Sequence, residues 1–163
     1  MSSKQKKLDL TGAKGCNLVL CFDGTWNTED PDVEQNNSVT NVFRIFEAIR
    51  QDELDESGTI THVNYFEGPG TKKGSKLAGG LLAMDLDEAI KDGHCQLVMH
   101  VRACRMAGIE PKIYLFGFSR GAYICHVFSW LLHVVGMTKA RLPDWEKIVD
   151  AFFTRDPEEI EKA

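Results

Sequence analysis

The chain has 163 residues, 43% of them apolar and 26% charged, with a formal net charge of −5. Such a balance suits one soluble globular domain with a real core and excludes a disordered tail. The acidic excess also argues against a nucleic-acid partner, because affinity for a phosphate backbone comes mainly from lysine and arginine.

Residues 1–15 read as a flexible, lysine-rich leader that lacks the apolar segment of a secretory signal, with one domain over 16–163. Asn17 to Phe22 is a near-continuous apolar run, the pattern of a strand buried on both faces. The polar stretch from Thr25 to Asn37 contains Pro31 and reads as a loop. Ser38 or Thr40 can cap the next helix, whose Val39, Val42, Phe43, Phe46 and Ile49 share one stripe. A second strand covers about Ile60 to Phe66, and a glycine-rich loop follows from Gly68 to Gly80. Asp85 to Ala107 is a long helical stretch, weakened by Gly93 and stopped by Gly108 and Pro111. Lys112 to Phe116 is a third strand, Arg120 to Val135 an apolar helix, and Asp144 to Phe153 a weaker one. Strands alternating with helices predict an α/β fold, a mostly parallel sheet with flanking helices.

Five cysteines (Cys16, Cys21, Cys95, Cys104 and Cys125) leave one over in any pairing, and no pair has zinc-like spacing. Reduced thiols and a cytoplasmic location are expected, with specialised secretion compatible, and no metal or cofactor motif is found. The longest apolar stretch, Val127 to Val135, is too short to span a bilayer and carries Ser129 and His133. The lysines at 4, 6 and 7 and at 72, 73 and 76 read as solvated surface. The segment from Gly70 to Lys76 resembles a phosphate loop only loosely, since it lacks the G-x-x-x-x-G-K-[ST] spacing and a strong helix after it.

Gly117-Phe118-Ser119-Arg120-Gly121 matches G-x-S-x-G, and the pattern sits where its chemistry requires, between an apolar strand and an apolar helix. A serine hydroxyl is a weak nucleophile until it stands clear of the sheet and meets a base. A tight strand-to-helix turn lifts it clear, and glycines on either side let neighbouring backbones approach. The N–H of Arg120 then lies at the helix start, aimed at a developing oxyanion. The plainer alternative is an ordinary turn using Gly117, Ser119 and Gly121 for capping.

Asp23-Gly24-Thr25-Trp26 follows the first strand and so lies at the C-terminal edge of the sheet, where open α/β folds bind ligands. Gly24 or Thr25 can supply a second oxyanion N–H from this loop, with Asp23 and Trp26 as further site-loop residues. Asp23 can also simply stabilise the turn through its own side chain. A haloacid-dehalogenase-like phosphatase is a third reading, but its nucleophilic aspartate would have to stand where this chain has Cys21.

Four segments together resemble one family. They are residues 18–27 (Leu-Val-Leu-Cys-Phe-Asp-Gly-Thr-Trp-Asn), 38–44 (Ser-Val-Thr-Asn-Val-Phe-Arg), 65–71 (Tyr-Phe-Glu-Gly-Pro-Gly-Thr) and 113–123 (Ile-Tyr-Leu-Phe-Gly-Phe-Ser-Arg-Gly-Ala-Tyr). In that order they are similar to the α/β-hydrolase domain family of the type VI secretion phospholipase effectors. The resemblance implies a partial α/β-hydrolase fold with a nucleophile elbow. It also implies a serine hydrolase of carboxylic or phospholipid esters, with Ser119 as nucleophile. Where family members usually continue with Ala-Arg after Gly-Ala-Tyr, this chain has Ile124, Cys125 and His126.

A triad of this type runs serine, acid, histidine along the chain. Only His126 and His133 follow Ser119, and at ~1.5 Å rise per residue they lie roughly 10 and 20 Å along the helix. General-base contact needs about 3 Å. His62, expected at the start of its strand, and His94 and His100, on the crossing helix, are no better placed. The expectation is therefore an N-terminal, truncated or split part of a serine ester hydrolase, completed by a C-terminal chain. The alternative is a short, non-catalytic interaction module with a protein partner.

Overall fold

The computed structural model describes residues 8–24, 39–49, 54–68 and 81–134. Within them, β1 (Gly15–Phe22), α1 (Asn41–Ile49), β2 (Thr59–Phe66), α2 (Leu81–Met106), β3 (Lys112–Gly117) and α3 (Arg120–Val134) follow in order. The strands form a parallel sheet ordered β2-β1-β3, a partial α/β fold. Gly15 pairs with Thr59 and Phe22 with Phe66 on one side of β1, while Asn17 pairs with Lys112 and Phe22 with Gly117 on the other.

The alternation of β1 divides the core into two layers. Cys16, Leu18, Leu20 and Phe22 face α2 and α3, where Ile90, Leu97, Val101, Ile124, Phe128 and Leu131 close over them. Val19 and Cys21 face α1 with Val42, Phe46, Val63, Tyr65 and Phe116. A central strand covered on both faces must be apolar throughout, hence the near-continuous run. Phe22 is the keystone: its ring stacks on Phe66 at 4.6 Å and meets Phe128 at 6.0 Å. Burying such a ring is worth about 1.5–3 kcal/mol.

Several boundaries differ from the sequence reading. Leu8, Leu10 and Ala13 pack against the larger core layer, and the Lys14 N–H donates to the Gly58 carbonyl at 2.8 Å. The expected leader is thus tied to the fold from residue 8 onward, and Gly15 already belongs to β1. α2 begins at Leu81 rather than Asp85. Of the two candidate caps for α1, Thr40 takes the position, its Oγ1 accepting from the Phe43 N–H at 3.1 Å. Val39 is exposed and precedes the helix instead of joining its stripe. Ser38, the loop over 69–80 and the expected helix over 144–153 lie outside the described residues.

α2 ends as Gly108 and Pro111 predict. The Gly108 N–H donates to the Arg105 carbonyl at 3.0 Å and the Ile109 N–H to that of Cys104 at 2.9 Å, with Gly108 at φ +75°. This is the paired bonding of a Schellman stop. A Cβ at Gly108 would meet nothing within 4 Å, so Gly108→Ala isolates the backbone cost. We expect a loss of about 1–2 kcal/mol, read as a lower urea midpoint at unchanged slope.

Candidate active site

Three strand ends are tied together at the C-terminal rim of the sheet. The Phe118 N–H donates to the Phe22 carbonyl at 3.1 Å, joining the residue after β3 to the end of β1. The Asp23 N–H donates to the Phe66 carbonyl at 3.0 Å, joining the residue after β1 to the end of β2. The chain leaving β3 must therefore turn sharply to enter α3.

Ser119 sits on that turn with φ +54°, and among the described residues no other non-glycine residue has a positive φ. A left-handed backbone costs a side-chain-bearing residue about 1–2 kcal/mol and persists only where its surroundings enforce it. Here the Gly121 N–H donates to the Phe118 carbonyl at 2.8 Å and the Ala122 N–H to that of Ser119 at 3.0 Å. The side chain of Ser119 is exposed, as is that of Phe118 beside it. The flanking glycines are sterically required. A Cβ at Gly117 would overlap the Gly121 carbonyl group, and one at Gly121 would overlap that of Phe22 and lie 2.8 Å from the Asp23 carbonyl oxygen. Arg120 is the first residue of α3. N–H groups in a first helical turn have no partner within the helix and carry its positive end.

The loop after β1 is anchored by a buried carboxylate. Asp23 is 1% exposed. Its Oδ1 accepts from the Gly24 N–H at 2.7 Å, and its Oδ2 from Thr40 Oγ1 at 2.6 Å and Tyr65 Oη at 2.7 Å. The Gly24 N–H, one of the two oxyanion donors expected from this loop, is thus committed to Asp23. Thr25 and Trp26 lie outside the described residues. Thr40 and Tyr65 were not singled out from the sequence as site residues, although both fall in segments that carry the family resemblance.

Cys21, at the place where a phosphatase would need its aspartate, is fully buried on the α1 side of the sheet. Burial, reinforced by Cys125 and Asp23, pushes its thiol up to about 12, and burial takes Cys125 up to about 11. Both stay protonated and make poor nucleophiles.

The histidines stand away from Ser119. His62 is not at the start of its strand but in the middle of β2, buried, with its ring edge-on to His100 of α2 at 4.3 Å. His94 is buried beside Phe128 at 6.4 Å, and burial takes its pKa down to about 4. His126 and His133 are exposed along α3. Among the described residues no group of three or more metal-ligating side chains is assembled, and no helix is long and apolar enough to cross a membrane.

The chain is 25% identical over 149 residues to "Uncharacterized protein YEL023C" of Saccharomyces cerevisiae, an alignment covering 83% of this chain and 20% of that protein. The chain thus corresponds to about a fifth of that relative's length. No solved structure matches it. The family described as "T6SS, Phospholipase effector Tle1-like, catalytic domain" matches residues 16–162, which include β2, β3, all of β1 but its first residue, and the turn at Ser119. The chain belongs to this phospholipase effector catalytic-domain family of the type VI secretion system.

Proposed function

We propose that this chain carries the nucleophile region of a serine ester hydrolase of lipase or phospholipase type. Ser119 Oγ attacks the acyl carbonyl of a carboxylic or phospholipid ester. The oxyanion that forms is held by the Arg120 N–H and by an N–H of the loop after β1. Because Asp23 already takes the Gly24 N–H, Thr25 is the remaining candidate of the two in this loop. The observation that carries the reading is the left-handed φ of an exposed serine where a parallel strand turns into an apolar helix. Family membership supports it independently.

All five histidines of this chain are among the described residues and none is placed to serve Ser119, so the histidine base of this reading is supplied by a complementing C-terminal chain. A nucleophile without its base retains only weak catalysis, several powers of ten below the complete site.

A fluorophosphonate probe tests the proposal, with the modified peptide identified by mass spectrometry. We expect adduct on Ser119 and none in Ser119→Ala, together with loss of ester hydrolysis in that variant. Absence of adduct on the wild-type chain, alone and with a complementing C-terminal chain, would remove the hydrolase reading. A second reading is a non-catalytic interaction module. It is favoured by the exposed aromatics Phe118, Tyr123 and Trp130 around the turn and along α3. A stoichiometric partner in a pull-down, with blank esterase assays, is the outcome that selects it.

A further inference from the structure

We propose that Asp23 is the positioning residue of this site, its carboxylate fixing the turn after β1 against the bend that carries Ser119. The inference rests on the hydrolase reading above.

A carboxylate that is 1% exposed needs donors to offset its lost hydration, and Asp23 has three, at 2.6–2.7 Å. They come from three places: its own loop, the cap of α1 and strand β2. The Thr40 hydroxyl has a single proton and gives it to Asp23, because its oxygen accepts from the Phe43 N–H. One hydroxyl thus both starts α1 and grips the loop. Tyr65 is equally constrained, its ring lying 5.4 Å from that of Phe43 and 5.2 Å from that of Phe46. Its hydroxyl is thereby delivered to Asp23 Oδ2 from a packed ring.

The main chain of Asp23 completes the link. Its N–H bonds to Phe66, and its carbonyl oxygen lies against Gly121, the first turn of α3. A single residue therefore joins β1, β2 and α1 and abuts the helix that starts at the nucleophile. Stability alone explains such a group poorly, since an apolar side chain of similar volume would avoid the desolvation cost. What a carboxylate adds is direction: it turns the Gly24 N–H back onto itself and so sets the path on which the loop leaves β1. Its three donors are an amide and two hydroxyls, and it precedes Ser119 in a chain order that puts the triad acid after the serine, so Asp23 orients backbone and is not read as the triad acid.

The test compares wild type, Asp23→Asn and Tyr65→Phe. Two readouts are used: fluorophosphonate modification of Ser119, resolved into maximal rate and half-saturating probe concentration, and hydrogen exchange by mass spectrometry. Misplacing a catalytic group by about 1 Å costs on the order of 100-fold. We accordingly expect Asp23→Asn to lower the maximal rate about 100-fold at unchanged half-saturation, and Tyr65→Phe, which removes one of three donors, about 10-fold. Exchange should rise at Gly24 and over residues 117–121 while the 97–104 segment of α2 keeps its wild-type rate. Should Asp23→Asn fail to fold, Tyr65→Phe still gives both readouts. Wild-type modification rates in both variants overturn the proposal, and so does a uniform rise in exchange across the chain, which marks a stability effect only. If wild type itself is never modified, the hydrolase reading is lost, and the exchange pattern alone decides whether Asp23 holds the bend.

Discussion

Gly121→Ala is expected to cost more than about 3 kcal/mol and to disrupt the rim of the sheet, beyond the usual range for overpacking a core. The added methyl would overlap the carbonyl of Phe22, and the atoms it meets belong to backbone. A flexible side chain could swing aside, but the Phe22 carbonyl is fixed by accepting the Phe118 N–H, and Phe22 itself is stacked on Phe66. Relief would require β1 and α3 to separate, which uncovers Ile124 and Phe128. Urea unfolding measures the loss. A Gly121→Ala protein within 1 kcal/mol of wild type, a span far below the expected loss, would contradict the close approach described at this turn.

Acidification should destabilise the protein through His94. Burial between α2 and α3 takes its pKa down to about 4 from an ordinary 6.5. Above pH 6.5 the imidazole is neutral in folded and unfolded chains alike, and the group adds no pH dependence. As pH falls from 6.5 to 4 the unfolded chain takes up a proton that the folded chain refuses, so stability is lost across this window. The shift corresponds to about 3 kcal/mol by pH 4, with no further loss from this group below that. Urea melts of wild type and His94→Leu at pH 7 and pH 4.5 isolate the effect, because other titrating groups are common to both. The variant should lose less stability on acidification by roughly 2–3 kcal/mol. Parallel losses in the two proteins would show that His94 titrates normally.

The order of elements and the turn at Ser119 could be read from the chain because both are local. The apolar run over 17–22, the stop at Gly108 and the glycines at 117 and 121 each announce a backbone requirement within a few residues. The bonds that organise the site are not local. Asp23 and Tyr65 are 42 residues apart, and Asp23 and Thr40 are 17 apart. No pattern of period two or 3.6 encodes such a meeting, so Asp23 could be placed in a turn but not given its partners. Gly24 shows the consequence: a glycine at the sheet's edge suits an oxyanion donor, yet its N–H is spent on the neighbouring carboxylate. His62 illustrates the same difficulty. Expected at the start of its strand, it lies in the middle of β2, where its ring is buried against His100 of α2, a partner 38 residues away that its own neighbours do not announce.

The central position of β1 also bears on when Ser119 can acquire its backbone conformation. During synthesis β1 and β2 emerge first and can pair as soon as α1 links them. The second neighbour of β1 is made only after the whole of α2, so that pairing closes a much longer loop and is the slower step. Since the bend is tied to the end of β1 through Phe118 and Gly121, a nascent chain has no means of imposing the left-handed turn on its serine. The hydroxyl comes into its exposed setting late, once β3 has docked, and an incompletely made polypeptide carries a serine like any other.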